Sequence, residues 1–104
     1  MDNFSVIYKI LSTLEKSMDL EEFDSERISA ETLGVSVCRW EKYMEMLVDA
    51  GYIKGVSIKV YSDGQRIVTV TDARITLKGL EYLNENSIMQ RMYKAAKGIT
   101  DLIP

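Results

Sequence analysis

From Asn3 to Met18, apolar side chains recur at Phe4, Ile7, Ile10, Leu11, Leu14 and Met18. Steps of three and four gather them on one helical stripe, so a first helix is expected here, with Asp2 or Asn3 as its N-cap. The acidic run DLEEFDSE, residues 19–26, contains two apolar anchors, Leu20 and Phe23. It reads as a connector pinned to the core with its charges in water. In ISAETLGVS, Ser29 is placed to cap a short helix, Glu31 sits in the first turn where the helix dipole favours an acid, and Gly34 ends the helix in a left-handed conformation. Ser36 then caps a longer helix. Its Val37, Trp40, Met44, Leu47 and Val48 form an apolar stripe that leaves Arg39, Glu41, Lys42, Glu45 and Asp49 on flanking or outward faces. A short helix, a glycine turn and a longer amphipathic helix make a helix-turn-helix pattern.

Gly51 ends that helix, and the period changes from 3.6 to 2. Val56, Ile58 and Val60 now alternate with Ser57, Lys59 and Tyr61. Asp63-Gly64 is a two-residue hairpin signal; a type I′ turn there would set Val60 opposite Ile67 and Lys59 opposite Val68, whereas a longer loop or a bulge would alter the pairing. Beyond the hairpin, Thr76 is placed to cap a fourth helix with Leu77, Leu80 and Leu83 on one side and Gly79 allowing close backbone packing. NENS, residues 84–87, is expected to break it, and Ser87 with Gln90 fits the capping box of a fifth helix. The expected fold class is α+β: a winged helix-turn-helix with a three-helix core, a two-stranded β-hairpin wing and additional C-terminal helices. Residues 1–86 would form the winged domain, and 87–104 a C-terminal helix packing on it or on a dimer partner.

Composition narrows the chemistry. With 104 residues, 46% of them hydrophobic, the chain suits one domain. Cys38 is the sole cysteine and histidine is absent, so there is no internal disulfide, no zinc set and no Cys/His pair. A reducing, cytoplasmic setting follows. The stretch MDNFSVIYKIL has an early acid and interrupted apolar positions, unlike a signal peptide or a membrane span. No glycine-rich phosphate loop follows a strand and no carboxylate pair sits in a catalytic context, so neither an enzyme nor a cofactor is expected.

The formal net charge of −3 is unevenly spread. Residues 1–50 hold five basic and eleven acidic side chains, net −6, whereas residues 51–104 hold eight basic and five acidic, net +3. Candidate DNA contacts are Ser36, Arg39 and Lys42 at the start of the third helix, with Lys59 and Arg66 on the wing. Lys54, Arg74 and Tyr61 lie nearby, while Glu41, Glu45 and Asp63 oppose a polyanion. Trp40 belongs to the apolar stripe, so its indole N–H needs a partner. A candidate dimer interface is Ile88, Met92, Ala96 and Ile99, with small Ala95 beside it. The expected partners are double-stranded DNA, a second copy of the chain, or a protein docking on the acidic first half or the terminal helix; a membrane is not among them.

The segments MDNFSVIYKIL, LGVSVCRWEKYMEMLVDAGYIKGVSIK and ITLKGLEYLNENS, together with AKGI near the end, resemble the YjcQ family of small proteins from Gram-positive bacteria and their prophages. The likeness runs over nearly the whole chain. It implies a winged-helix structure and a regulatory or phage-linked role, with no defined catalytic residues and no known ligand to carry over.

Overall fold

The computed structural model describes residues 2–97, with side chains described for residues 2–87. Helix α1 (Asn3–Lys16) is capped by Asp2, whose carboxylate accepts from the Ser5 N–H. Two 3-10 turns, Ser17–Asp19 and Ser25–Ile28, lead to α2 (Ala30–Leu33) and α3 (Val37–Asp49). Strands β1 (Ile53–Val60) and β2 (Arg66–Ile75) form an antiparallel hairpin, and α4 (Leu77–Lys97) follows it. This order is a winged helix-turn-helix.

The caps act as the sequence suggests. The Ser29 hydroxyl accepts from the Thr32 N–H, the Ser36 hydroxyl accepts from the Arg39 N–H, and Gly34 closes α2 in the left-handed region. Val6, Ile10, Leu11 and Leu14 of α1 meet Ile28, Leu33, the Tyr43, Met44 and Leu47 side chains of α3, and Ile53, Ala73 and Ile75 at the base of the hairpin. Trp40 packs against this core, and its indole N–H donates to the Ile28 carbonyl at 2.7 Å.

Several expected core positions face water instead: Phe4, Met18, Leu20 and Val37 are exposed, while Val6 and Tyr43 are buried. In the first turn of α1 it is Asn3 that turns toward α3, where its side-chain oxygen meets Arg39 and Tyr43. The buried stripe therefore begins at Val6 and leaves Phe4 outside.

The hairpin loop differs from a type I′ turn. Gly64 has φ 88°, but no non-glycine residue among those described has a positive φ, so Asp63 does not meet the requirement of that turn. The Asp63 carboxylate accepts from the Gln65 N–H, the Gly64 N–H donates to the Tyr61 carbonyl, and the Tyr61 N–H donates to the Gln65 carbonyl at 2.8 Å. These bonds close a three-residue loop with one left-handed glycine. Pairing shifts by one residue, setting Val60 opposite Arg66 and Lys59 opposite Ile67.

Farther from the loop, the register slips between Lys54 and Val56. Ile53 and Val56 both pack on the core although they are three apart, as are Val70 and Ala73. Strict alternation would send one of each pair to the opposite face, and the irregularity at Gly55 brings both inward.

The C-terminal region also departs from the expected pair of helices, because α4 runs unbroken through NENS to Lys97. The stretch holds neither proline nor glycine. The Asn86 amide donates to the Tyr82 carbonyl and the Ser87 hydroxyl donates to the Asn84 carbonyl, so both polar side chains bond back along the helix and Ser87 caps no new one. The 86/87 boundary thus falls inside α4. Of the candidate dimer residues, Ile99 and the side chains of Ile88, Met92 and Ala96 lie outside the described residues.

Candidate nucleic-acid interface

The N-terminal half of α3 presents Ser36, Arg39 and Lys42, all exposed, at spacings of three that keep them on one side of the helix. Arg39 is held in place. Its guanidinium donates to the Asn3 side-chain oxygen at 2.7 Å and contacts the Tyr43 hydroxyl at 3.4 Å, while that hydroxyl donates to the same Asn3 oxygen at 2.5 Å. Guanidinium carries five N–H donors in a fixed fork. One terminal nitrogen is thus anchored, leaving the rest of the fork to other partners. Lys42, one turn on, forms no ion pair among the described residues.

These residues line a groove of about 490 Å³ between α1 and α3, with Phe4, Ile7 and Met46 as its apolar wall. The buried Tyr43 ring supplies part of the floor.

The wing divides the other two candidates. Side chains alternate across a strand, so Arg66, paired with Val60, shares the face of Ile58, Val68 and Val70 that turns to the core. There it reaches α3 and pairs with Glu45 at 3.6 Å, both side chains about one-third exposed. Lys59, opposite Ile67, lies on the outer face. Lys54 and Arg74 oppose one another on that same outer face, with Arg74 also paired to Asp72 at 3.3 Å. The fold therefore gathers Ser36, Arg39 and Lys42 and separates Lys59 from Arg66.

Three residues with roles here, Tyr43, Asn3 and Glu45, were not among the candidate contacts, and their sequence signals differ. Tyr43 stands one turn from Arg39 on the same helix, a spacing from which a contact is readable. Asn3 lies thirty-six positions away, and Glu45 meets Arg66 only because the hairpin register places them together. Among the described residues there is no group of acidic, cysteine or histidine side chains fit to hold a metal ion, and no helix long and apolar enough to cross a membrane.

In a comparison with solved structures, the fold is similar to the crystal structure of Sso10a-2, a DNA-binding protein from Sulfolobus solfataricus, with a TM-score of 0.52 and 20% identity over 100% of this chain and 98% of that one. A comparison with curated proteins gave no match. The sequence profile described as YjcQ protein matches residues 8–102. With nearly every element of the fold inside that match, the chain belongs to the YjcQ family.

Proposed function

We propose that this chain binds double-stranded DNA as a cytoplasmic transcriptional regulator of bacterial or prophage genes, acting by binding and not by catalysis. The observation that carries the reading is the anchored Arg39 beside unpaired Lys42 at the exposed start of the second helix of a helix-turn-helix. In such folds that end of the helix enters the major groove, where an arginine fork matches guanine and both residues reach phosphates. Lys59 on the wing adds a backbone contact, whereas Arg66 would have to leave Glu45 to do so. The DNA-binding character of the similar Sulfolobus protein supports the same reading. Two copies joined through their C-terminal segments would present paired helices to a two-fold site.

The test is capture of sheared genomic DNA from the source organism by the purified chain at moderate salt, followed by sequencing. Enrichment of a few sites sharing a two-fold motif is expected. The double variant Arg39→Glu, Lys42→Glu should lose that enrichment while keeping its thermal transition, and unchanged affinity would remove α3 from the interface.

A second reading keeps the fold and changes the partner to a protein. Glu21, Glu22 and Glu26 are all exposed, and Met18 and Leu20 beside them are exposed too, which makes an acidic surface with apolar centres. Stoichiometric copurification of a protein, lost when the three glutamates become glutamine, would favour it.

A further inference from the structure

We infer that the groove between α1 and α3 is a binding site for a small amphiphilic carboxylate, and that its occupant withdraws Arg39 and Lys42 from DNA; the second clause rests on the DNA-binding reading. The groove's volume of about 490 Å³ lies within the range of small-molecule sites, roughly 300–1,000 Å³. Its wall is apolar, and two of the residues forming it, Phe4 and Met46, are 67% and 50% exposed. A face that only tracks phosphates has no use for them.

Charge selects the ligand's head. Arg39 and Lys42 line the groove and no carboxylate does, although residues 1–50 carry a net charge of −6. The Asn3 and Tyr43 contacts fix the guanidinium in advance, so an incoming carboxylate meets a preformed fork. Length selects the body. Arg39 to Met46 spans about 10 Å along α3 at ~1.5 Å per residue, which suits a short acyl chain. The α1 wall, from Asn3 to Ile7, is only about 6 Å long by the same rise, whereas a docked partner helix needs anchors over two turns.

Octanoate is a suitable probe. Titrated into the full-length, isotope-labelled chain, it should produce saturable amide shifts confined to the Asn3–Ile7 and Ser36–Met46 stretches. Octan-1-ol should bind more weakly and octylammonium not at all. Lys42→Gln and Arg39→Gln should each weaken octanoate by about tenfold, and Met46→Glu should abolish its binding while the spectrum stays folded. Because Lys42 and Met46 are exposed, those two variants remain informative if Arg39→Gln perturbs the fold.

Absence of shifts, equal binding of octanol, or unchanged affinity in Lys42→Gln and Met46→Glu would overturn the site. Binding of an acidic amphipathic peptide in place of octanoate would overturn it in favour of a protein partner. Saturating octanoate should also release captured DNA, and undiminished retention would overturn the competition. Octanoate binding to a chain that retains no DNA would uphold the groove and remove only the regulator.

Discussion

At the scale of single residues, what a cation can do is decided by its nearest partner. Arg39 and Arg66 are both basic side chains on or near α3, yet one is anchored by neutral oxygens and the other by a carboxylate. Asn3 and Tyr43 orient Arg39 without reducing its charge, so its field still reaches a ligand. Glu45 cancels much of Arg66. A pair about one-third exposed contributes little to stability, about 0.2–1 kcal/mol. Glu45→Gln should therefore leave the melting temperature nearly unchanged, while it frees Arg66 and removes one acid from α3, the helix proposed to contact DNA. Tighter DNA binding by on the order of fivefold is expected, from one surface charge interaction near 1 kcal/mol. Fluorescence anisotropy with a captured site measures it, and weaker binding would mean that Glu45 helps present the wing.

Among the elements, close approaches help to place the hairpin and α4. A Cβ on Gly55 would overlap the Asp72 carbonyl oxygen, and the backbone there sits at φ 85°. Gly64 has nearly the same φ, 88°, but open space around it. Gly64→Ala should cost only the left-handed strain, about 1–2 kcal/mol, and Gly55→Ala that strain plus a displaced strand, about 2–4 kcal/mol in all. Chemical denaturation of both variants checks the order, and equal losses would mean that the strands part freely at the irregularity. Helix α4 rests its Tyr82 ring 5.1 Å from the Tyr52 ring, over which the Lys78 ammonium forms a cation–π contact at 5.8 Å. Burial, and secondarily Tyr52, raises the Tyr82 pKa above its ordinary 10.0. The folded state thus holds the Tyr82 proton more tightly than the unfolded chain does. Its contribution is complete below pH 10, then falls as pH rises from 10 through the higher folded value. The stability difference between the native chain and Tyr82→Phe should shrink over that window in thermal unfolding; a constant difference would contradict the assignment.

The caps and periods behind these elements were legible in the sequence. Ser29, Gly34 and Ser36 act through neighbours three or four positions away, and the alternation from Val56 to Lys59 needs no tertiary partner. The hairpin register was not legible, because Asp63 has a local bond to Gln65 that competes with the turn its identity suggests. Nor was the continuity of α4, since Asn86 and Ser87 are helix breakers until their side chains find carbonyls behind them.

At the scale of the whole molecule, the separation of charge sets the terms for the proposed DNA binding. The candidate contacts were chosen by type and position, and that sufficed for Ser36, Arg39 and Lys42, which share one helix. It failed to show that Lys59 and Arg66 point to opposite faces, which depends on pairing across the hairpin. With the net −6 half also carrying α3, the proposed attraction to DNA would come from few contacts, not from a broad positive field. Arg39, Lys42 and Lys59 give three cations per chain free to meet phosphates, with Arg66 engaged elsewhere. Each phosphate neutralised contributes about −0.9 to the slope of log K against log salt, so one chain should give a slope of about −3 and a two-fold pair about −5. Titrating a captured site between low and moderate salt therefore reads the contact number and the stoichiometry together, and Lys59→Gln should reduce the slope by about one unit per chain. A slope near zero would mean that retention is not phosphate-driven and that the acidic first half, with its exposed Met18 and Leu20, is the working surface.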